Sequence, residues 1–144
     1  MARLVLDPSV VIKWYVPEVL TDAAVSLKRR IHEESWPVAV PQLFFVESAN
    51  VLWKKTSLKK ELSRREGEAI LSGIMGLPFY VVEDREVLPR AMRLASEYSI
   101  SVYDALYLAC AIRFKSVLVT ADSALTRNIA NSNLRKHIAF LAGF

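Results

Sequence analysis

The run Arg3-Leu4-Val5-Leu6-Asp7 constrains this chain more than any other stretch. Three apolar residues follow one another without polar interruption, the pattern of a strand covered on both faces inside a parallel sheet, and a carboxylate ends it. Asp7 is therefore expected where ligands bind in open α/β sheets, outside the carboxyl end of a buried strand. The same residue also reads as a plain helix cap, with Pro8 at the first helical position. Its company along the chain decides between the two readings.

Helical stretches alternate with short apolar runs from end to end. Strands are expected over Pro37 to Val40, Pro78 to Glu83 and Ser116 to Thr120. Helices are expected over Ser9 to Val16, from Thr21 and Asp22 onward, over Gln42 to about Lys55, Glu68 to Met75, Val87 to Tyr98, from Ser101 onward, and over Ser123 to Ala130. Such alternation predicts βαβ units and an α/β fold: a three-layer α/β/α sandwich with a mostly parallel central sheet. At 144 residues and 53% hydrophobic content the chain suits one domain over residues 1–144. Neither a signal-peptide pattern nor an apolar stretch of about 18 residues occurs, which predicts a cytoplasmic protein with no membrane partner. The single cysteine, Cys110, lies in an apolar helix and reads as a small core residue.

Three further acids break the apolar pattern. Glu47 stands in the helix Leu43-Phe44-Phe45-Val46-Glu47-Ser48-Ala49-Asn50-Val51-Leu52-Trp53 and shares a face with Leu43, Phe44 and Val51. A carboxylate drawn inward there needs a cation or a proton, and no lysine or arginine lies three or four residues away. Asn50, on the same side, is placed to hydrogen-bond Glu47 or whatever Glu47 binds. Asp104 is the only charge in the first two turns of the helix whose body is Ala105-Leu106-Tyr107-Leu108-Ala109-Cys110-Ala111-Ile112; Ser101 and Asp104 are also spaced as a capping box. Asp122 follows the strand that ends in Thr120, just as Asp7 ends the first, and it too can cap the next helix. If the two strands run parallel, both acids reach the same sheet edge.

Charge is uneven. Lys and Arg outnumber Asp and Glu by 19 to 15, and between Lys54 and Arg65 there are six basic residues (Lys54, Lys55, Lys59, Lys60, Arg64, Arg65) against Glu61 alone. A patch of this density attracts a polyanion such as nucleic acid, and it also fits a solvated surface. His32 and His137 have no metal-ligand spacing and read as surface residues. Ser9, Ser101 and Ser123 lack a histidine base.

Taken together, Leu4-Val5-Leu6-Asp7-Pro8-Ser9, Pro41 with Glu47-Ser48-Ala49-Asn50-Val51-Leu52, Tyr103-Asp104-Ala105-Leu106-Tyr107-Leu108-Ala109, and Leu118-Val119-Thr120-Ala121-Asp122 resemble the PIN-domain family, most closely its single-domain VapC-type members. The resemblance implies a Mg²⁺- or Mn²⁺-dependent endoribonuclease with Asp7, Glu47, Asp104 and Asp122 as its acidic set, and a supporting role for the hydroxyls of Ser9 or Thr120. It also implies a homodimer and inhibition by a small cognate antitoxin, for which Trp14, Phe45 and Trp53 are the candidate contacts. Pro8, and the absence of a glycine near Lys59, depart from the family pattern without touching the acids.

Physical chemistry points the same way. Four carboxylates without basic partners repel one another, and a hard, oxygen-preferring cation such as Mg²⁺ relieves that repulsion. Asp7 and Asp104 are expected to bind it directly, with Asp122 and Glu47 completing its shell or holding its waters. Two other readings stay open: a PIN-fold module that binds RNA or antitoxin without cutting, and a receiver-like regulator using Asp84 as phosphoacceptor and Thr120 as sensor.

Overall fold

A computed structural model describes residues 2–144. Five strands, β1 (Leu4–Leu6), β2 (Val38–Pro41), β3 (Tyr80–Val82), β4 (Val117–Thr120) and β5 (Ile138–Phe140), form one sheet in the order β3-β2-β1-β4-β5. Every adjacent pair is parallel. Seven α-helices accompany them: α1 (Pro8–Val11), α2 (Thr21–Glu33), α3 (Leu43–Trp53), α4 (Arg64–Met75), α5 (Asp84–Tyr98), α6 (Val102–Arg113) and α7 (Ser123–Ala130). The result is a three-layer α/β/α sandwich.

β1 lies between β2 and β4, so Leu4, Val5 and Leu6 are all buried, as their uninterrupted apolar run predicts. From β1 the chain builds outward through β2 and β3, then returns to the other side of β1 for β4 and β5. The strand order thus reverses between β1 and β4. In open α/β sheets this reversal opens a crevice at the carboxyl ends of the two strands, and Asp7 and Thr120 stand at those ends.

α6 is the apolar spine: all seven residues from Ala105 to Ala111 are buried, Cys110 among them. α5 packs against it through Val87, Ala91 and Leu94. Leu88 and Met92, on the neighbouring stripe, are 42% and 59% exposed. Two stripes of period 3.6 run side by side on this helix, and the one containing small Ala91 allows the closer approach to α6.

Two further differences concern short segments. β5 has no counterpart among the sequence expectations: it is three residues long, follows the charged Arg135-Lys136-His137, and only Ile138 is buried. The first helix is α1 followed by a 3₁₀ turn over Ile12–Trp14, not one helix to Val16. The capping box at the start of α4 is complete, with Ser63 Oγ accepting from Glu66 N–H at 3.0 Å and Glu66 Oε1 accepting from Ser63 N–H at 3.0 Å. No helix among the described residues is long and apolar enough to cross a membrane.

Candidate active site

Asp7 terminates β1 and caps α1 in the extended conformation a cap requires, so one residue satisfies both readings of the sequence. Its Oδ1 accepts from the Ser9 N–H at 2.9 Å and from the Ser9 hydroxyl. Its Oδ2 accepts from the Thr120 hydroxyl at 2.6 Å. Each hydroxyl carries a single proton, so both are committed to Asp7, and their oxygens are left to accept. Ser9 Oγ does so across the strand reversal, from Ala121 N–H at 2.9 Å, and Thr120 Oγ1 does so locally, from Asp122 N–H at 3.0 Å. Ser9 and Thr120, from the two sides of the reversal, thus both bind Asp7.

Asp7 is 8% exposed. Burial pushes its carboxyl up to about 6, the hydroxyl and amide donors oppose that rise, and the Asp104 charge adds to it. Asp104, third residue of α6, is half-buried; burial and then the charge of Asp122 raise its pKa, with the Ser101 hydroxyl opposing. Ser101 Oγ accepts from Asp104 N–H at 3.0 Å. Among the described residues the reciprocal bond from Ser101 N–H to the Asp104 carboxylate is not formed, unlike the box at Ser63. The cap therefore does not consume the acid. Asp122 caps α7, accepting from Leu125 N–H at 3.1 Å, and is exposed.

Glu47 comes from α3, beside the buried stripe Phe44, Ser48 and Leu52. It is half-buried, and burial raises its pKa; the Tyr107 phenol counters this, and the charges of Asp104 and Asp84 add to the rise. Tyr107 donates to Glu47 Oε1 at 2.5 Å. Asn50 is exposed and lines the same cleft, without a hydrogen bond to Glu47 among the described residues. Tyr107 escaped the sequence reading because it sits in the apolar body of α6, although its hydroxyl is the one strongly polar group there.

Asp7, Glu47, Asp104 and Asp122 all line one cleft of about 540 Å³, together with Ser9, Asn50, Lys54, Tyr103 and Tyr107. None of the four is in an ion pair among the described residues. No three of them converge closely enough to form a ready cluster around one ion. The donor set still fits Mg²⁺, which takes oxygen ligands, keeps several waters and needs only one or two carboxylates directly.

Of the basic residues, Lys54 reaches the cleft, and Lys59, Lys60 and Arg65 are exposed. Arg64 is exposed and paired with Glu68 at 3.0 Å. Lys55 departs from expectation. It is buried in the π-helical turn Lys54–Leu58 that follows α3, bound to Glu18 at 2.9 Å and Glu61 at 3.3 Å, so its charge is spent inside the molecule. Asp84 is likewise a structural clamp: its Oδ1 accepts from Leu43 N–H at 3.2 Å and its own N–H donates to Gln42 Oε1 at 3.1 Å. Trp14 and Phe45 pack against the core, Trp14 donating to Ala24 O at 2.8 Å, while Trp53 is 51% exposed. His137 is half-buried with Nδ1 at 2.9 Å from Ser116 O, and neither histidine lines the cleft.

The PIN-domain family model matches residues 4–130, a span that holds β1, all four acids and the cleft. The chain belongs to the PIN-domain family. The matched part of this PIN domain stops before β5. Ribonuclease VapC3 of Pyrobaculum aerophilum is 29% identical over 126 residues, covering 85% of this chain and 92% of that protein. Among solved structures, PAE2754 from Pyrobaculum aerophilum superposes with a TM-score of 0.66 at 22% identity, over 99% of this chain and 85% of the other. A toxin-antitoxin complex from Klebsiella pneumoniae gives 0.61 at 19% identity, over 96% and 97%. These two likenesses share the PIN fold. Family membership leaves the receiver-like reading without support.

Proposed function

We propose that this PIN domain is a Mg²⁺- or Mn²⁺-dependent endoribonuclease and the toxin of a toxin-antitoxin pair. The observation that carries the reading is the cleft itself: acids from β1, α3, α6 and the β4–α7 turn line it, and none is neutralised by a basic side chain. The 29% identity to a protein named Ribonuclease VapC3 supports ribonuclease chemistry, and the likeness to a toxin-antitoxin complex supports an antitoxin as partner.

Asp7 and Asp104 would hold the ion, with Glu47 and Asp122 completing its shell or holding its waters. Bound there, a divalent cation lowers the pKa of an attacking water and offsets charge on the phosphate during in-line displacement. The chain's own residues do the rest. Ser9 and Thr120 keep Asp7 oriented and leave on Oδ2 a lone pair free for a further contact. Asp104 keeps its carboxylate out of any ion pair among the described residues. Lys54 at the cleft, then Lys59, Lys60 and Arg65 on the adjoining turn, attract the RNA backbone, whose charge the acids alone would repel. The products are a 5′-phosphate and a 3′-hydroxyl. The protein acts in the cytoplasm as a homodimer, held inactive by its antitoxin.

The test is incubation of the purified protein with single-stranded and structured RNA in Mg²⁺, Mn²⁺ or EDTA, alongside Asp104→Asn. New ends that depend on the metal and vanish in the variant are expected, with RNA binding retained. RNA binding without any new ends would identify a non-cleaving module instead.

A further inference from the structure

We propose that Tyr107 is a positioning residue, whose phenol holds Glu47 Oε1 and so fixes the carboxylate at the cleft. The inference rests on the function proposed above and adds a residue to it.

Tyr107 is 2% exposed, in the middle of the most buried helix of the fold. A phenol in such surroundings needs a hydrogen-bond partner, and here the partner is Glu47 Oε1, on α3 and 60 residues away in sequence. Burial and the Glu47 charge hold the tyrosine far above its ordinary pKa, so its hydroxyl stays a donor.

The four acids differ in how they are held. Asp7 is bound by Ser9 and Thr120, and Asp122 by Leu125 N–H. Asp104 is a short side chain on the first turn of a buried helix. Glu47 has a longer side chain with an additional torsion, and the charges of Asp104 and Asp84 oppose its own. Without a tether, that repulsion favours rotamers that carry its carboxylate out toward water. Tyr107 supplies the tether, holding the carboxylate by Oε1. It does for Glu47 what Thr120 does for Asp7.

Tyr107→Phe keeps the ring and removes only the donor. Three readings separate position from packing: thermal midpoint, kcat and KM on an RNA oligonucleotide, and Mn²⁺ affinity by electron paramagnetic resonance, each repeated in a Glu47→Gln background. Outer-shell partners of metal-binding groups are typically worth about tenfold to a hundredfold in affinity or activity. The expected result is a loss of that size in kcat and in Mn²⁺ affinity, with KM unchanged, and no further loss when Tyr107→Phe is added to Glu47→Gln. Wild-type kcat and Mn²⁺ affinity in Tyr107→Phe overturn the proposal, as do losses that multiply fully in the double variant. If Tyr107→Phe fails to fold, Glu47→Asp decides, because it keeps the charge but withdraws it from the phenol: it must show the same two losses, and wild-type values overturn the proposal. Wild-type protein that cleaves no RNA counts against the proposed function, while its Mn²⁺ titration still reads the tether; wild-type protein that binds no Mn²⁺ overturns both.

Discussion

The hydroxyl of Thr120 donates to Oδ2 of Asp7 at 2.6 Å, joining the carboxyl ends of β4 and β1 at the point where the strand order reverses. The same oxygen accepts from Asp122 N–H, so Thr120 holds one acid of the cleft and sets the backbone of another.

Thr120→Val keeps the shape of the side chain and removes the donor. It leaves a buried carboxylate short of a hydrogen bond and Asp122 N–H short of an acceptor. Bonds to charged groups contribute about 1.5–3 kcal/mol, so urea unfolding of the variant should show a loss of that order. An unchanged midpoint and slope would mean that the bond carries no net stability.

Asp7 also gives the fold a pH dependence with an unusual sign. Its pKa rises from 3.8 to about 6 on folding, chiefly through burial, so between these values the folded state binds the proton more readily than the unfolded chain. Stability from this group is fully present below pH 4 and is lost as pH climbs through 6. Glu47 and Asp104 shift in the same direction. In EDTA, metal-free Asp7→Asn should therefore gain on wild type as pH rises from 4 to 7, by about 1–3 kcal/mol in all. Parallel stability curves for the two proteins would refute the shift.

Much of this arrangement is legible in the sequence, for physical reasons. A strand buried on both faces has no polar positions, so Asp7 and Thr120 stand out at the ends of theirs. Glu47 stands out because a helix apolar on nearly every side leaves an acid few places to go. What stays hidden depends on distant partners. Tyr107 reads as core until α3 brings Glu47 to it, Lys55 reads as surface until Glu18 and Glu61 enclose it, and β5 is too short and too charged in its approach to register as a strand.

Lys55 and Lys59 stand four residues apart and should behave as opposites. Lys59 is exposed and unpaired among the described residues, so Lys59→Gln should leave stability unchanged and weaken RNA binding. Its slope of log K against log salt should become shallower by about 0.7 if one phosphate contact is lost. Lys55→Gln removes the cation between Glu18 and Glu61, leaving Glu18 paired with Lys13 at 3.1 Å and Glu61 without a partner among the described residues. Because both acids remain partly hydrated, a stability loss of about 1–2 kcal/mol is expected, with the salt slope of RNA binding unaltered. The reverse pattern would move the RNA path off the exposed turn.

The acids of the cleft raise one another's pKa values, so a divalent cation should stabilise the fold as well as serve the reaction. A ligand bound only by the folded state adds about 2.7 kcal/mol at a hundred times its dissociation constant. Thermal unfolding midpoints should therefore rise with Mg²⁺ and Mn²⁺ and fall back on addition of EDTA, while matched ionic strength in KCl leaves them unchanged. Asp104→Asn removes one charge from the cleft without touching the network around Asp7, so the variant should start at least as stable as wild type and respond weakly to the metal. Asp7→Asn should lose the response too, since Asp7 is the other direct ligand proposed. A midpoint that climbs equally in wild type and both variants would place the cation elsewhere on the molecule and leave the four acids to repel one another for no catalytic purpose.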